Sequence, residues 1–348
     1  MFLRRARPRG CGARARPYDC RVNNPTRVAL ALGSGGARGY AHIGVIQILE
    51  ERGIEVVNVA GSSMGALIGG LYAAGQLDAY TEWVRGLSQL DVLRLLDVSI
   101  SAPGVIRAEK IFAHVRELVG RTLIEDLPIP FTAVATDLTA RKAVWFQRGP
   151  LEVAMRASIA TPGVFTPVML NGRLLADGGL MDPVPIAPTA STRADATIAV
   201  DLGGERGGVP DDAPAQETAE ERPIDEWVER FRRGAAHVLD REMVRALTSR
   251  FGGDSAPTPE PGDIGTSAAE AFEALPAGLT KFDVMNQSLE AMQSVLTRYR
   301  LAGNPPDVLV RIPRDACRTL DFHRASEMIE LGRAVTTAAL DDSRLGDA

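Results

Sequence analysis

The chain opens its regular patterning with Arg27 to Leu32 (RVALAL), a short apolar run that reads as a buried strand. It leads into the glycine-rich stretch 33–39 (GSGGARG). From Tyr40 to Arg52, apolar Ala41, Val45, Ile48 and Leu49 then recur at helical spacing until Gly53 stops them. A second unit of the same kind follows at once: Val56 to Ala60, the tight sequence GSSMG at 61–65, and a small-residue helix from Ala66 to Ala74 that ends at Gly75. Two strand–turn–helix units in so short a span predict a parallel sheet covered by helices, because a parallel connection needs a crossover element to bury both faces.

Further along, the periodicity predicts helices over 79–96 and 107–119, and a strand pair at 131–138 and 142–149 around Thr139-Ala140-Arg141. A short helix follows over 151–158, then a strand at 172–179 and a buried strand at 196–204. Composition then changes. Stretches 203–223 and 252–278 are rich in Gly, Pro, Ala and acids with no apolar period, and they flank a charged amphipathic helix at 224–250. A helix at 282–299, a strand at 306–313 and a helix at 322–340 complete the pattern. The expected organisation is a basic tail at 1–26, an α/β domain at 27–204, a linker-rich insertion at 205–278, and a segment at 279–348 that completes the domain.

Charge is divided unevenly. Residues 1–27 hold eight arginines against Asp19, which leaves 31 basic and 43 acidic residues in the rest, a net charge of −12. An acidic body is a poor partner for nucleic acid, which needs a concentrated cationic face. The head has no apolar segment of secretory type, so it reads as a flexible tail or as residues upstream of the true start. An organellar presequence and an arm for anionic lipid are the alternatives. Residues 56–75 are uncharged over a length that spans a bilayer, but five glycines, Asn58, Ser62 and Ser63 fit a strand, turn and buried helix better. Cys11, Cys20 and Cys317 are too few and too dispersed for a disulfide framework or a Cys-rich metal site. A cytoplasmic chain, in peripheral contact with membrane at most, is the expectation.

Gly61-Ser62-Ser63-Met64-Gly65 is a Gly-x-Ser-x-Gly placed between a predicted strand and a predicted helix, the context of a nucleophile elbow. Positions flanking so tight a turn must lack a Cβ, and the helix that starts there directs its N–H groups at a developing anion. Ser63 is therefore the candidate nucleophile, against the alternative of a glycine-rich packing turn. In 33–39 the spacing of a dinucleotide-binding loop fails, since the sixth position is Arg38 or Tyr40 depending on the starting glycine, and no acid follows the second strand. Bare amides at a helix start suit an oxyanion hole better, where one donor is worth about 3 kcal/mol. Arg38 either holds this loop or attracts a phosphate.

A base for Ser63 is harder to find. His42 and His114 lie within predicted helices, His237 on the charged helix and His323 at the start of the last one, so none occupies the strand-end loop expected of a catalytic histidine. Asp177, in LLADGGL, stands at a strand end before Gly178 and Gly179, where it can approach a serine without crowding; the alternative is an Asx-turn residue. A carboxylate of ordinary pKa, ~3.9, is a weak base for a hydroxyl, so it needs a dry site and a short, aligned hydrogen bond.

GSGGARG, GSSMG and DGG in this order resemble the patatin-like phospholipase family. ASIATPGVFTPV (157–168) is similar to the family's segment ahead of its aspartate, and 306–313 with 322–340 resembles the bacterial members related to neuropathy target esterase. The resemblance covers 27–204 well and 279–340 more loosely, and position 34 departs from it, carrying serine for the usual glycine. It implies a three-layer α/β fold with a mostly parallel central sheet and a Ser63–Asp177 dyad. It further implies an oxyanion hole from the amides of Gly35, Gly36 and Ala37, supported by Gly33, Arg38, Gly39, Gly61, Gly65, Gly178 and Gly179. Hydrolysis of acyl esters in phospholipids or lysophospholipids, without metal or cofactor, is the implied activity. An acyltransferase using the same acyl-enzyme, and a non-catalytic nucleotide- or phosphate-binding regulator, are the rival readings.

Overall fold

Eight strands form one sheet in the order β5-β6-β3-β2-β1-β7-β8, with β4 paired to β3. The structure is a computed structural model and describes residues 25–95, 109–205, 281–343 and 345. The chain divides into two compact units, Met1–Gly207 with Met285–Ala348, and Gly208–Val284; the sheet and the site belong to the first. Residues 1–24 of the tail expected at 1–26, and the expected insertion from 206 to 278 with its charged helix at 224–250, lie outside the described residues.

The parallel centre comprises β1 (Arg27–Leu32), β2 (Glu55–Ser62), β7 (Ala196–Gly204) and β8 (Val308–Pro313), with β3 (Phe131–Asp137) parallel to β2. β1 after Arg27 is an unbroken apolar run and β3 is buried throughout, as expected of central strands covered on both faces. Side chains of β1 divide between the two. Val28, Leu30 and Leu32 enter the large core with α1 (Ala41–Glu51), α2 (Met64–Ala73) and α8 (Ala325–Ser343). Ala31 joins Ala199, Val184 and Ile186 in a smaller cluster backed by Leu301 of α7 (Lys281–Gly303). α1 and α8 cross at close range through Gly44 and Gly332, where a Cβ on either would strike the backbone of the other helix.

The region predicted as one helix over 79–96 is two, α3 (Leu77–Arg85) and α4 (Gln89–Leu95), interrupted at Gly86. α5 (Glu109–Val119) and α6 (Leu151–Ser158) fall where expected. The sheet is mostly parallel as expected, and its antiparallel part adjoins β3: β4 (Lys142–Phe146), the expected partner strand, and β6 (Arg173–Asp177) run antiparallel to β3, and β5 (Val168–Leu170) pairs with β6 as a hairpin. Its two-residue turn, Asn171-Gly172, has φ of 49° and 76°, the backbone that Asn-Gly favours. That dipeptide was the available signal for β5. The reversal matters for chemistry, since Ser62↔Val134 ends the β2–β3 pairing and Ala135↔Asp177 begins the β3–β6 pairing. Two strand ends thus meet across β3, and 114 residues of sequence separation collapse to a contact.

Candidate active site

β2 passes into α2 through one residue. Ser63 sits at φ 55°, ψ −123°, a left-handed backbone that costs a non-glycine residue on the order of 1–3 kcal/mol. The surroundings hold it there. Its N–H donates to Ser158 Oγ (2.9 Å), which itself donates to the Val134 carbonyl (2.6 Å), and the neighbouring Ser62 Oγ donates to the Asp182 carbonyl (2.6 Å). Its carbonyl accepts from Ala66 and Leu67 as the helix starts. The flanking glycines are required by close backbone approach: a Cβ on Gly61 would meet the Gly65 carbonyl, and one on Gly65 the carbonyl of Leu32 in β1.

Asp177, 2% exposed, ends β6 and caps the 3-10 turn Gly178–Leu180. Its two carboxylate oxygens divide the work. Oδ1 accepts from the Gly179 amide (2.7 Å), the turn-forming bond of an Asx residue, while Oδ2 accepts from Ser63 Oγ at 2.6 Å and from Thr161 Oγ1 at 2.5 Å. The turn reading and the Ser63 reading of the sequence therefore both describe this residue, one on each oxygen. Thr136 Oγ1 fixes its carbonyl (2.8 Å), and Gly178 packs so close to the Val134 carbonyl and Ser62 Oγ that a side chain there is excluded. Burial raises the Asp177 pKa, against the hydrogen bonds from Ser63, Thr161 and Gly179, which lower it.

The glycine loop lines the same pocket. Gly33 donates to Val200 and Ser34 to Pro183, so the loop is laced to the sheet and to the segment after Asp182. Gly36, at φ 57°, lies against Thr319. The amides of Gly35 and Gly36 have no acceptor among the described residues, and both residues line one pocket with Ser63 and Asp177. Ala37 corrects an expectation: its N–H donates to the Thr319 carbonyl at 2.9 Å, so it is not free to bind an oxyanion. Gly39 is the contact point with the elbow, its Cα facing Met64.

Arg38 resolves in favour of holding the loop. Largely buried, it donates through Nε to the Gly35 carbonyl (3.3 Å), through one terminal nitrogen to the Arg314 carbonyl (2.5 Å) and through the other to Glu290 of α7 (3.1 Å). Below the loop, His42 Nε2 donates to the Gly33 carbonyl at 2.8 Å, and burial lowers the His42 pKa to about 4. His114 stacks on Trp83 (4.3 Å between ring centres) and His323 lies in a 3-10 turn; neither lines the pocket, and His237 is outside the described residues.

From Ser63 the pocket extends between apolar side chains of five helices, among them Leu67, Trp83, Val92, Ile111 and Leu289, and Phe322 also lines it. Polar groups converge at the elbow and the remainder is suited to hydrocarbon. Among the described residues no three His, Cys, Asp or Glu side chains gather as a metal site requires, and no helix is long and apolar enough to cross a membrane. Ser158 and Thr161 were not singled out in the sequence. Their signal, two hydroxyls in ASIAT at the end of a short helix, is intelligible only once that segment is seen beside both strand ends.

The sequence profile described as patatin-like phospholipase matches residues 30–190. An uncharacterized NTE family protein of Mycobacterium tuberculosis (strain H37Rv) is 51% identical over 347 residues, 94% of this chain and 95% of its own length. Patatin-like phospholipase domain-containing protein 6 of Homo sapiens is 33% identical over 192 residues, 53% of this chain and 14% of that protein. A second uncharacterized NTE family protein of M. tuberculosis (strain CDC 1551) is 34% identical over 50% of this chain and 30% of its own.

Proposed function

Since the chain belongs to the patatin-like phospholipase family, in its NTE group, we propose that it is a serine hydrolase that cleaves acyl esters of phospholipids or lysophospholipids through Ser63 and Asp177. The observation that carries this reading is the 2.6 Å hydrogen bond from Ser63 Oγ to Asp177 Oδ2 at the polar end of an apolar pocket. Among the described residues the Ser63 hydroxyl donates to the Asp177 carboxylate alone, and the dry setting of that carboxylate makes it a stronger base than an exposed aspartate.

In the proposed reaction Ser63 Oγ attacks the ester carbonyl as its proton passes to Asp177 Oδ2. The tetrahedral oxyanion rests on the Gly35 and Gly36 amides. Collapse expels the alcohol, which takes the proton from Asp177, and leaves an acyl-Ser63 ester; water then repeats the sequence with Asp177 as base. The left-handed backbone of Ser63 presents its hydroxyl at the apex of the turn, and the apolar walls receive the acyl chain.

The first test is covalent labelling with a fluorophosphonate, which should modify Ser63. Ser63→Ala and Asp177→Asn should each lower short-chain ester turnover by roughly a thousandfold or more while melting as the unaltered protein does. Unchanged turnover in either variant removes that residue from the mechanism. Products formed from phospholipid with and without an added alcohol acceptor decide between water and an alcohol as the acyl acceptor.

A further inference from the structure

Two hydroxyl groups converge on one carboxylate oxygen. Asp177 Oδ2 accepts from Ser63 Oγ at 2.6 Å and from Thr161 Oγ1 at 2.5 Å, whereas Oδ1 is occupied by the Gly179 amide. Thr161 Oγ1 also lies 3.3 Å from the Ile159 carbonyl, so a single hydroxyl has two acceptors in range. Its backbone is fixed: Thr161 N–H donates to Ile159, its carbonyl accepts from Val164 and Phe165, and Pro162 restricts the residue before it to an extended conformation. A β-branched side chain on such a backbone has little freedom at χ1, so the hydroxyl is held in place before any substrate arrives. Ser158, three residues earlier on the same segment, holds the Ser63 amide. One stretch of chain thus braces both the turn that carries the nucleophile and the carboxylate that faces it.

We propose that Thr161 is a positioning residue for proton transfer, aligning Asp177 Oδ2 with Ser63 Oγ and switching its own hydrogen bond when that oxygen becomes protonated. This rests on the Ser63–Asp177 reading above. While Asp177 is an anion, Thr161 donates to Oδ2, which orients the carboxylate and favours its charged form. When Ser63 gives up its proton, the new Oδ2–H donates to Thr161 Oγ1, and the Thr161 hydroxyl rotates to donate to the Ile159 carbonyl. Thr161 gains and loses no proton. An ammonium in its place could only donate, and would penalise the protonated state; a hydroxyl serves both.

The experiment uses the full chain and a soluble short-chain ester, with turnover followed from pH 4 to 9. Thr161→Val keeps the shape and removes the hydroxyl. It should lower kcat roughly tenfold or more, the effect of one charge-assisted hydrogen bond. It should also move the acid limb of kcat/KM to higher pH by about one unit, because the limb reports the base and one group favouring its anion is gone. Thr161→Ser should return the limb to its original pH and restore most of kcat, with a residual loss from its freer χ1. An unmoved acid limb in Thr161→Val, or a Thr161→Ser variant as impaired as Thr161→Val, overturns the proposal. Should Thr161→Val not fold, Thr161→Ala is read for the same limb. Asp177→Asn distinguishes the two levels: if it retains turnover, the dyad itself fails, and if it is inactive while the Thr161→Val limb stays in place, Thr161 alone is wrong.

Discussion

The two strand–turn–helix units that open the fold begin alike and diverge at the turn. β1 and β2 are parallel neighbours, a Gly-Ser pair closes β2 and another follows β1 directly, and both strands feed a helix packed on the same core. Between β2 and α2 stands one residue, Ser63, and between β1 and α1 stand Gly33, Ser34, Gly35 and a 3-10 turn, Gly36–Tyr40. The short turn concentrates strain on one side chain and presents it; the long turn presents backbone. Their glycines serve different ends accordingly. Gly61 and Gly65 are demanded by backbone against backbone, whereas Gly36 combines a positive φ with close approach to Thr319, and its amide is left without an acceptor among the described residues. One architecture, used twice in succession, yields a hydroxyl from one turn and free backbone N–H groups from the other, both lining one pocket.

The sharpest way to break this comparison is to add the same methyl group to each turn. In Gly65→Ala the new Cβ strikes the carbonyl of Leu32, which is locked in the sheet between β2 and β7. Neither strand can yield, so the expected loss is about 3 kcal/mol or more of stability, read as a fall in Tm and in soluble yield. Gly36→Ala meets Thr319 in a loop and acquires a left-handed alanine, a cost of roughly 1–2 kcal/mol. It should still fold. Its larger effect falls on rate: displacing one oxyanion donor should lower kcat about a hundredfold or more. Normal melting of Gly65→Ala would refute the packing account of the elbow, and normal kcat in Gly36→Ala would refute the donor role of its turn.

The parts legible in the sequence are those whose cause is local. The apolar runs of β1, β2 and β7 and the tight spacing GSSMG declare their elements because strand burial and turn sterics act over a few residues. Asp177 was legible through the two glycines after it. What escaped depends on partners far along the chain. Ala37 looks as free as Gly35 in sequence, and only Thr319, brought near after β8, takes up its amide. Arg38 acquires its purpose from Glu290 and Arg314. Ser158 and Thr161 could not be told from ordinary helix-end hydroxyls until β6 folded antiparallel onto β3 and carried Asp177 to them. The break between α3 and α4 escaped for a different reason, since the apolar period continues across it.

The smallest predicted effect separates the two turns by pH. Each rests on a buried titratable residue: His42, whose Nε2 holds the Gly33 carbonyl, and Asp182, whose carbonyl holds Ser62 Oγ. Burial lowers the His42 pKa from 6.5 to about 4; burial raises that of Asp182 from 3.8 to about 6, against the attraction of Arg300 at 3.6 Å. The signs are opposite. Between pH 6.5 and 4 the unfolded chain binds a proton at His42 that the folded chain refuses, so stability falls as pH falls, by about 2 kcal/mol at pH 5. Between pH 6 and 3.8 the folded chain binds a proton at Asp182 that the unfolded chain releases, so stability rises as pH falls, by about 1 kcal/mol at pH 5. In the unaltered protein the two largely offset each other. His42→Gln, which keeps a donor for Gly33 without the titration, should therefore be more acid-resistant than the parent, its Tm difference growing in its favour from pH 7 to pH 5. Asp182→Asn should show its advantage at neutral pH, where the buried charge is lost, and surrender it as the pH approaches 4. Denaturation curves of the three proteins at matched ionic strength check this, and two difference curves of the same slope would show that the two supports do not titrate with opposite effect on stability.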